Sequence, residues 1–208
     1  MAVKCYLGMC LLVACACVRL NLSSTAEPPI TYLLDPPAAQ LWPSPAQATV
    51  LVNDFSATPP YDTADMVLVT ARGTLVAASR HRWASRLSSA FADLLWCDLV
   101  ASRAVQAAHR HYVRGPRIVV VDGHLRECGA REVGTQWYAV VDVTVSLSCP
   151  DWSLAAHQRN YRIERPLTGE GFDALAAAMI PLTRAWIDST VADLRRMADA
   201  APVSEVPR

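Results

Sequence analysis

Leu12-Val13-Ala14-Cys15 carries the most specific chemistry in the chain. A large aliphatic residue three positions before a cysteine, with a small residue directly before it, is the lipobox pattern. The small residue lets a signal peptidase reach the backbone, and the Cys15 thiol then accepts a diacylglycerol group. The setting agrees, because Met1–Lys4 is a short start with one basic side chain and Cys5–Ala14 is a nearly unbroken apolar run. About ten apolar residues suit a signal-peptide core, whereas a membrane-spanning helix needs about 20. The pattern predicts a lipoprotein with a signal peptide at 1–14 and a mature chain beginning at Cys15. An ordinary secretory signal is the alternative. Cys17 is a weaker acylation candidate, since Ala14 and Cys15 stand at its −3 and −2 positions. Each buried CH₂ contributes about 0.8 kcal/mol, so palmitate-type chains on Cys15 would hold the protein stably in a membrane.

Other residues that could do chemistry lack a working arrangement. The sequence has no GxSxG, HExxH, GxGxxG or GxxxxGK[ST] stretch. His109 and His111 are spaced to share a strand face as metal ligands, but no third ligand follows at a telling distance, so they read as solvated connector residues. His81, His124 and His157 are isolated. Asp54 and Asp62 flank a proline loop and read as turn caps. Ser88-Ser89 has no base beside it to make a nucleophile. A small hydrolase would need a cleft gathering His109, His111 and Asp122. The expectation is therefore no catalytic residue, no metal and no cofactor. Partner contact is the remaining role for side chains. Trp42 and Trp152 sit in proline-rich loops, where they either meet a partner or anchor the loops in the core. Arg80, Arg82 and Arg86 surround Trp83 and could meet lipid headgroups or an acidic partner, though a solvated face is the simpler reading.

Composition narrows the partners. Nineteen Lys and Arg balance nineteen Asp and Glu, so no bulk charge draws the chain to nucleic acid. Lys4 is the only lysine, so the mature chain carries arginine alone. Outside the cytoplasm disulfides are permitted. Cys128 and Cys149 fall at opposite ends of a long strand and are too far apart to pair, while nothing in the sequence supports Cys97 with Cys149.

The elements that would position these residues follow from periodicity. Residues 15–29 form a lipidated tether, and 30–200 a single domain with a frayed tail at 201–208. Ile30–Leu34 and Gln47–Phe55 read as strands, with Val50 and Val52 on one face. Met66–Ala71 and Thr74–Ala78 form a hairpin around Arg72-Gly73. Trp83–Leu95 has helical spacing, with Trp83, Leu87, Ala90, Phe91 and Leu94 on one stripe. Val100–Gln106 reads as a strand. Ile118–Glu127, Thr135–Ser148 and Leu154–Glu164 form a meander turning at Cys128–Gly134 and Cys149–Ser153. Its middle strand alternates a dry face (Trp137, Ala139, Val141, Val143, Val145, Leu147) with a largely wet one that includes Asp142. Gly171–Ala198 is a second helix, with a kink or break predicted at Pro181. The sum is an α+β domain, a mostly antiparallel sheet with two amphipathic helices on one face.

Taken in order, these stretches resemble the ABC-type transport auxiliary lipoproteins, the PqiC/YmbA-like group. The likeness rests on the lipobox, then Thr31-Tyr32-Leu33-Leu34-Asp35-Pro36, then Val50-Leu51-Val52 leading to Pro59-Pro60-Tyr61-Asp62 and Met66-Val67-Leu68-Val69. Arg82-Trp83 before the amphipathic helix follows, and the meander and the Ala-rich helix close the pattern. His81 before Arg82, and Ser85-Arg86 after Trp83, depart from it. The resemblance implies a fold similar to the TolB amino-terminal domain and a homo-oligomeric ring. It implies an outer-membrane lipoprotein facing the periplasm, partnered with an MCE-domain protein and an ABC transporter permease in moving lipids between membranes. No catalytic residue comes with it. A structural lipoprotein of another envelope assembly machine is the alternative.

Overall fold

The computed structural model describes residues 27–115, 117–150 and 156–200. The signal segment, Cys15, Cys17 and Trp152 lie outside them. In chain order the elements are β1 (Ile30–Tyr32), β2 (Ala46–Val52), β3 (Ser56–Ala57), β4 (Asp65–Val69), β5 (Leu75–Trp83), α1 (Leu87–Ser102) and β6 (Val105–His109). They continue with β7 (Ile118–Val133), β8 (Gln136–Ser148), β9 (His157–Pro166) and α2 (Gly171–Ala200).

All nine strands join one sheet, and β7 is its spine. Along one edge β7 pairs antiparallel with β8 from Val120↔Ser148 to Val133↔Gln136. Gly134, at φ +63°, supplies the backbone their turn needs. Along the other edge three short strands dock in succession, all parallel: β2 at 118–121, β3 at His124-Leu125 and β4 at Ala130-Arg131. β5 returns antiparallel to β4 through the turn at Gly73 (φ +78°), and β1 lies parallel to β5. β6 lies parallel to β2, and β9 antiparallel to β8. Antiparallel pairing dominates the meander, as its alternation predicts, but the sheet as a whole is mixed.

A bulge at Arg126 reconciles the two halves of β7. The pairing runs Leu125↔Val143 and then Glu127↔Asp142, so Arg126 is the extra residue. Val119, Val121 and Leu125 face the helices before it, and Cys128 and Ala130 face them after it. Without the bulge, the period of two would turn those last two outward. Cys128–Val133 continues the strand, where a turn was expected. Small residues occupy that stretch because β4 comes close there. A Cβ on Gly129 would lie 2.3 Å from the Val67 carbonyl oxygen.

The helices cover one face. Trp186 of α2 is fully buried against Phe91 of α1 (ring centroids 4.9 Å apart) and Phe55 (6.0 Å). Leu175, Met179, Leu182 and Trp186 form its buried stripe, and α2 passes through Pro181 without the break that the proline suggests. The start of α1 departs from expectation. β5 runs through Trp83, whose backbone N–H donates to the Ala64 carbonyl at 2.6 Å, and α1 begins only at Leu87. Its end departs as well, because the stripe Leu87, Phe91, Leu95, Leu99 and Ser102 stays buried through what reads as the start of a strand. Arg103, in the left-handed conformation at φ 55°, then ends the helix.

The opposite sheet face is not simply wet. Asp142 and Glu127 face away from the helices yet are 3% and 7% exposed. Arg162 donates to both, at 2.9 and 3.0 Å, and to Glu164 at 2.6 Å, while Arg131 donates to Glu127 at 2.8 Å. Burial disfavours the Arg162 guanidinium, but its bonds to Asp142, Glu127 and Glu164 outweigh that and raise its pKa. Burial, reinforced by the Glu127 charge, pushes the Tyr61 phenol up to about 12.

Two outcomes follow. Gly129→Ala should destabilise the fold by about 1–3 kcal/mol through overpacking against β4, measured by urea unfolding. Tyr61 stays neutral in the folded protein above the unfolded value of about 10. The stability it contributes is complete below pH 10 and is lost between pH 10 and about 12. Tyr61→Phe should flatten that part of a stability-against-pH profile.

Candidate interaction surface

Several of the singled-out residues are already paired inside the fold. Trp83 is 3% exposed and belongs to the core, with Tyr32 edge-on at 6.5 Å, so its ring has no surface to offer a partner. Arg82 pairs with Asp65 at 2.9 Å, Arg86 with Asp62 at 3.8 Å and Arg80 with Glu27. Each arginine of the group therefore faces its own carboxylate. Asp62 also accepts from Ser88 Oγ at 3.1 Å, and Asp54 pairs with Arg110 at 2.7 Å. Both aspartates thus hold neighbouring elements rather than cap their own loop. Asp122 accepts from Asn53 Nδ2 at 2.9 Å. Among the described residues no three His, Cys, Asp or Glu side chains converge as metal ligands.

Two histidine clusters were not legible beforehand, because their partners are remote in sequence. His124 Nδ1 lies 2.7 Å from Ser56 Oγ and its Nε2 lies 2.9 Å from Thr58 Oγ1. Both ring nitrogens are engaged by hydroxyls, so a carboxylate does not orient the imidazole as in a nucleophilic triad. The contact instead ties β3 and its loop to β7. His81 Nδ1 lies 2.8 Å from the Tyr32 hydroxyl, which donates to Asp173 Oδ1 at 2.7 Å. His81 also stacks on Phe172 at 4.4 Å. The Tyr32 hydroxyl gives its one proton to Asp173, so His81 Nδ1 must be the donor to Tyr32. Burial, with the bond and charge of Asp173, pushes the Tyr32 phenol up to about 12. This cluster fastens β1 to β5 and to the first turn of α2.

Trp42 lies in a different setting. It is 37% exposed, and the Arg195 guanidinium sits over its ring at 4.1 Å. The Trp42 backbone N–H donates to the Ser102 carbonyl at 2.9 Å, and Arg195 donates to the Ser44 and Ala104 carbonyls at 3.0 and 2.5 Å. The ring is thereby held at the mouth of a groove of about 560 Å³ between α1 and β6, lined by Pro43, Leu99, Val100, Arg103 and Gln106 among others. A second groove of about 450 Å³ meets the first at Ala108 and continues past Trp96 and His109 to Tyr112. Trp96 Nε1 donates to the Ala108 carbonyl at 3.1 Å and keeps α1 beside the strand. Val100 and Tyr112 are 54% and 77% exposed.

β6 is an edge strand. Among the described residues it pairs only with β2, so its outer side presents backbone groups that a second strand can use. An edge strand beside a groove of mixed polar and apolar lining, with an aromatic at each end, is an arrangement that accepts an extended polypeptide segment. The backbone supplies hydrogen bonds and the lining receives side chains. The site is thus suited to binding another chain. His109 and His111 line the second groove, and Arg110 between them is taken up by Asp54 and Asp93 at 2.7 and 2.9 Å.

Comparison with known proteins agrees with the sequence resemblance. Residues 32–188 match the family described as the ABC-type transport auxiliary lipoprotein component. No curated protein matches the chain. Among solved structures, protein XCC0632 from Xanthomonas campestris superposes with a TM-score of 0.69 at 16% identity, covering 82% of this chain and 98% of that one. A second crystal structure, of an uncharacterized protein, has a TM-score of 0.63 at 16% identity, covering 82% and 99%. At that identity the two structures establish the shared fold.

The two tryptophans should separate cleanly in a denaturation experiment. Trp83→Ala should cost about 3–5 kcal/mol as a large core truncation. Trp42→Ala should cost about 1 kcal/mol, the worth of an exposed cation–π contact.

Proposed function

The chain belongs to the ABC-type transport auxiliary lipoprotein components, and from that premise we propose that it is a non-enzymatic, membrane-anchored subunit of an ABC/MCE-type system. In this reading the system moves lipids or other hydrophobic molecules between membranes. The observation that carries the proposal is the family match, which extends from β1 into α2 and so takes in the sheet and the first helix.

Cys15 is the proposed anchor. Acylation there places the body outside the cytoplasm, and Ala16 rather than Asp after the acylated cysteine suits sorting to the outer membrane. The domain then faces the periplasm, where an MCE-domain protein and the transporter permease are the proposed partners. The groove between α1 and β6 is the surface proposed to receive one of them as an added strand. Trp42 serves as an anchor at its mouth, in keeping with the enrichment of tryptophan at contact centres. Trp152, which lies outside the described residues, is a second proposed contact. A homo-oligomeric ring is compatible with this arrangement, since β1, β6 and β9 each pair on one side only among the described residues and so leave unlike sheet edges open.

Two measurements test the proposal. Cys15→Ala should abolish incorporation of a labelled fatty acid and release the protein from membranes, and a mutant that still takes up label would contradict the anchor. Val100→Asp places a charge in the groove without touching the core. It should lower co-purification of the MCE-domain protein and permease from native membranes about tenfold or more, with the melting temperature unchanged. Undiminished recovery would remove the groove from the contact surface.

A further inference from the structure

The end of the domain opposite the α1–β6 groove is built from two hairpin tips. β4 and β7 run parallel, so the β4–β5 turn and the β7–β8 turn project side by side. The Glu132 carboxylate accepts the Ala71 backbone N–H at 2.8 Å and joins them. This paired tip exposes three aliphatic side chains among polar ones. Leu75 and Val76 are each 43% exposed and Val133 is 55% exposed. Leu75 and Val76 are successive strand residues, so their side chains point to opposite faces, and each keeps 43% of its surface open. Arg72 is exposed at the turn between them and β4.

Chain direction says what lies beyond this end. β1 runs parallel to β5 in the register Ile30↔His81 and Tyr32↔Trp83. β5 starts at the hairpin and runs away from it, so the chain before Ile30 heads back toward the hairpin tips. The Glu27–Arg80 ion pair keeps it on that line. Leu75 is six positions before His81, about 20 Å along the strand. Cys15 stands only 12 positions before Glu27, a span of at most about 40 Å.

We infer that the tips at 71–76 and 133–135 rest in the headgroup layer of the membrane that holds the acylated amino terminus. Leu75, Val76 and Val133 reach the acyl boundary, and Arg72 meets lipid phosphate. The inference depends on the Cys15 anchor proposed above. Acyl chains give retention, and the hairpins fix orientation. A body standing on its hairpin tips turns the α1–β6 groove away from the lipid.

The test uses full-length acylated protein in vesicles of phosphatidylethanolamine and phosphatidylglycerol, in a Cys17→Ser, Cys97→Ser background. An environment-sensitive fluorophore is attached in turn at Val76→Cys, Val133→Cys and Val100→Cys. Mass spectrometry of the amino-terminal fragment reports acylation separately. The expected result is quenching by lipid-borne nitroxide at 76 and 133, with quenching by aqueous iodide at 100. Leu75→Ser with Val76→Ser should abolish the lipid quenching at 133 while the protein remains on vesicles with its melting temperature unchanged. Acylated protein whose probes at 76 and 133 respond to iodide and not to the lipid quencher overturns the inference alone. Probes shielded from both quenchers place a protein on the tips and overturn it as well. An unacylated fragment overturns the anchor, and the inference falls with it.

Discussion

The backbone of β7 has to be paired along both edges, and most of the architecture is a consequence. A strand of sixteen residues buried in the middle of a sheet exposes a long row of donors and acceptors on each side. Any stretch left unpaired inside the protein would cost about 1–3 kcal/mol per group. β8 satisfies one side by simple hairpin return. The other side is satisfied by three short strands drawn from different parts of the chain. Such patching makes the domain depend on contacts between distant segments, and it explains why parallel and antiparallel pairings meet on a single strand. The bulge at Arg126 belongs to the same solution, since it keeps the apolar side of β7 against the helices past the point where β3 gives way to β4.

What could be read beforehand followed how local the cause was. β8 declared itself because its own side chains alternate and its dry face packs under the helices. The Gly73 turn was legible because a two-strand hairpin needs a positive φ at its corner. The family resemblance led to the fold for a similar reason, since the order of short elements survives in sequence. The reading failed wherever a remote partner decides the outcome. Cys128–Val133 resembles a turn, with Cys-Gly and two charged residues, until β4 is seen to pack against Gly129. Trp83 resembles the start of a helical stripe, and only the pairing of β5 with β1 and β4 keeps it in a strand. The parallel docking of β2, β3 and β4 left no trace at all, because parallel neighbours are set by crossovers rather than by adjacent residues.

The surface was less legible than the core. Trp42 stood out as an aromatic among prolines, yet its value as a contact residue depends on Arg195, 153 positions away, which holds the ring at the mouth of the groove. The arginines around Trp83 resemble a basic patch in sequence and are neutralised one by one by Asp65, Asp62 and Glu27. A charge run becomes a binding surface only when its counter-charges are elsewhere, and sequence alone does not locate them.

The burial pattern also limits where a protein partner can bind. One sheet face is closed by α1 and α2. The other carries the ion cluster of Glu127, Asp142 and Arg162, with Tyr61 beside it, and opening that cluster would leave buried carboxylates without their guanidinium. A partner that displaced the helices or opened that cluster would therefore break interactions that the fold needs. The strand edges and the two ends carry no such penalty. Of the open edges, β9 contributes Arg159 and Arg162 to contacts inside the domain, with Asp193 and with the ion cluster, and β1 is tied to α2 through Tyr32 and Asp173, whereas β6 borders a groove of mixed polar and apolar lining. The groove contact proposed on one edge and the membrane contact proposed at the hairpin tips both avoid those interactions.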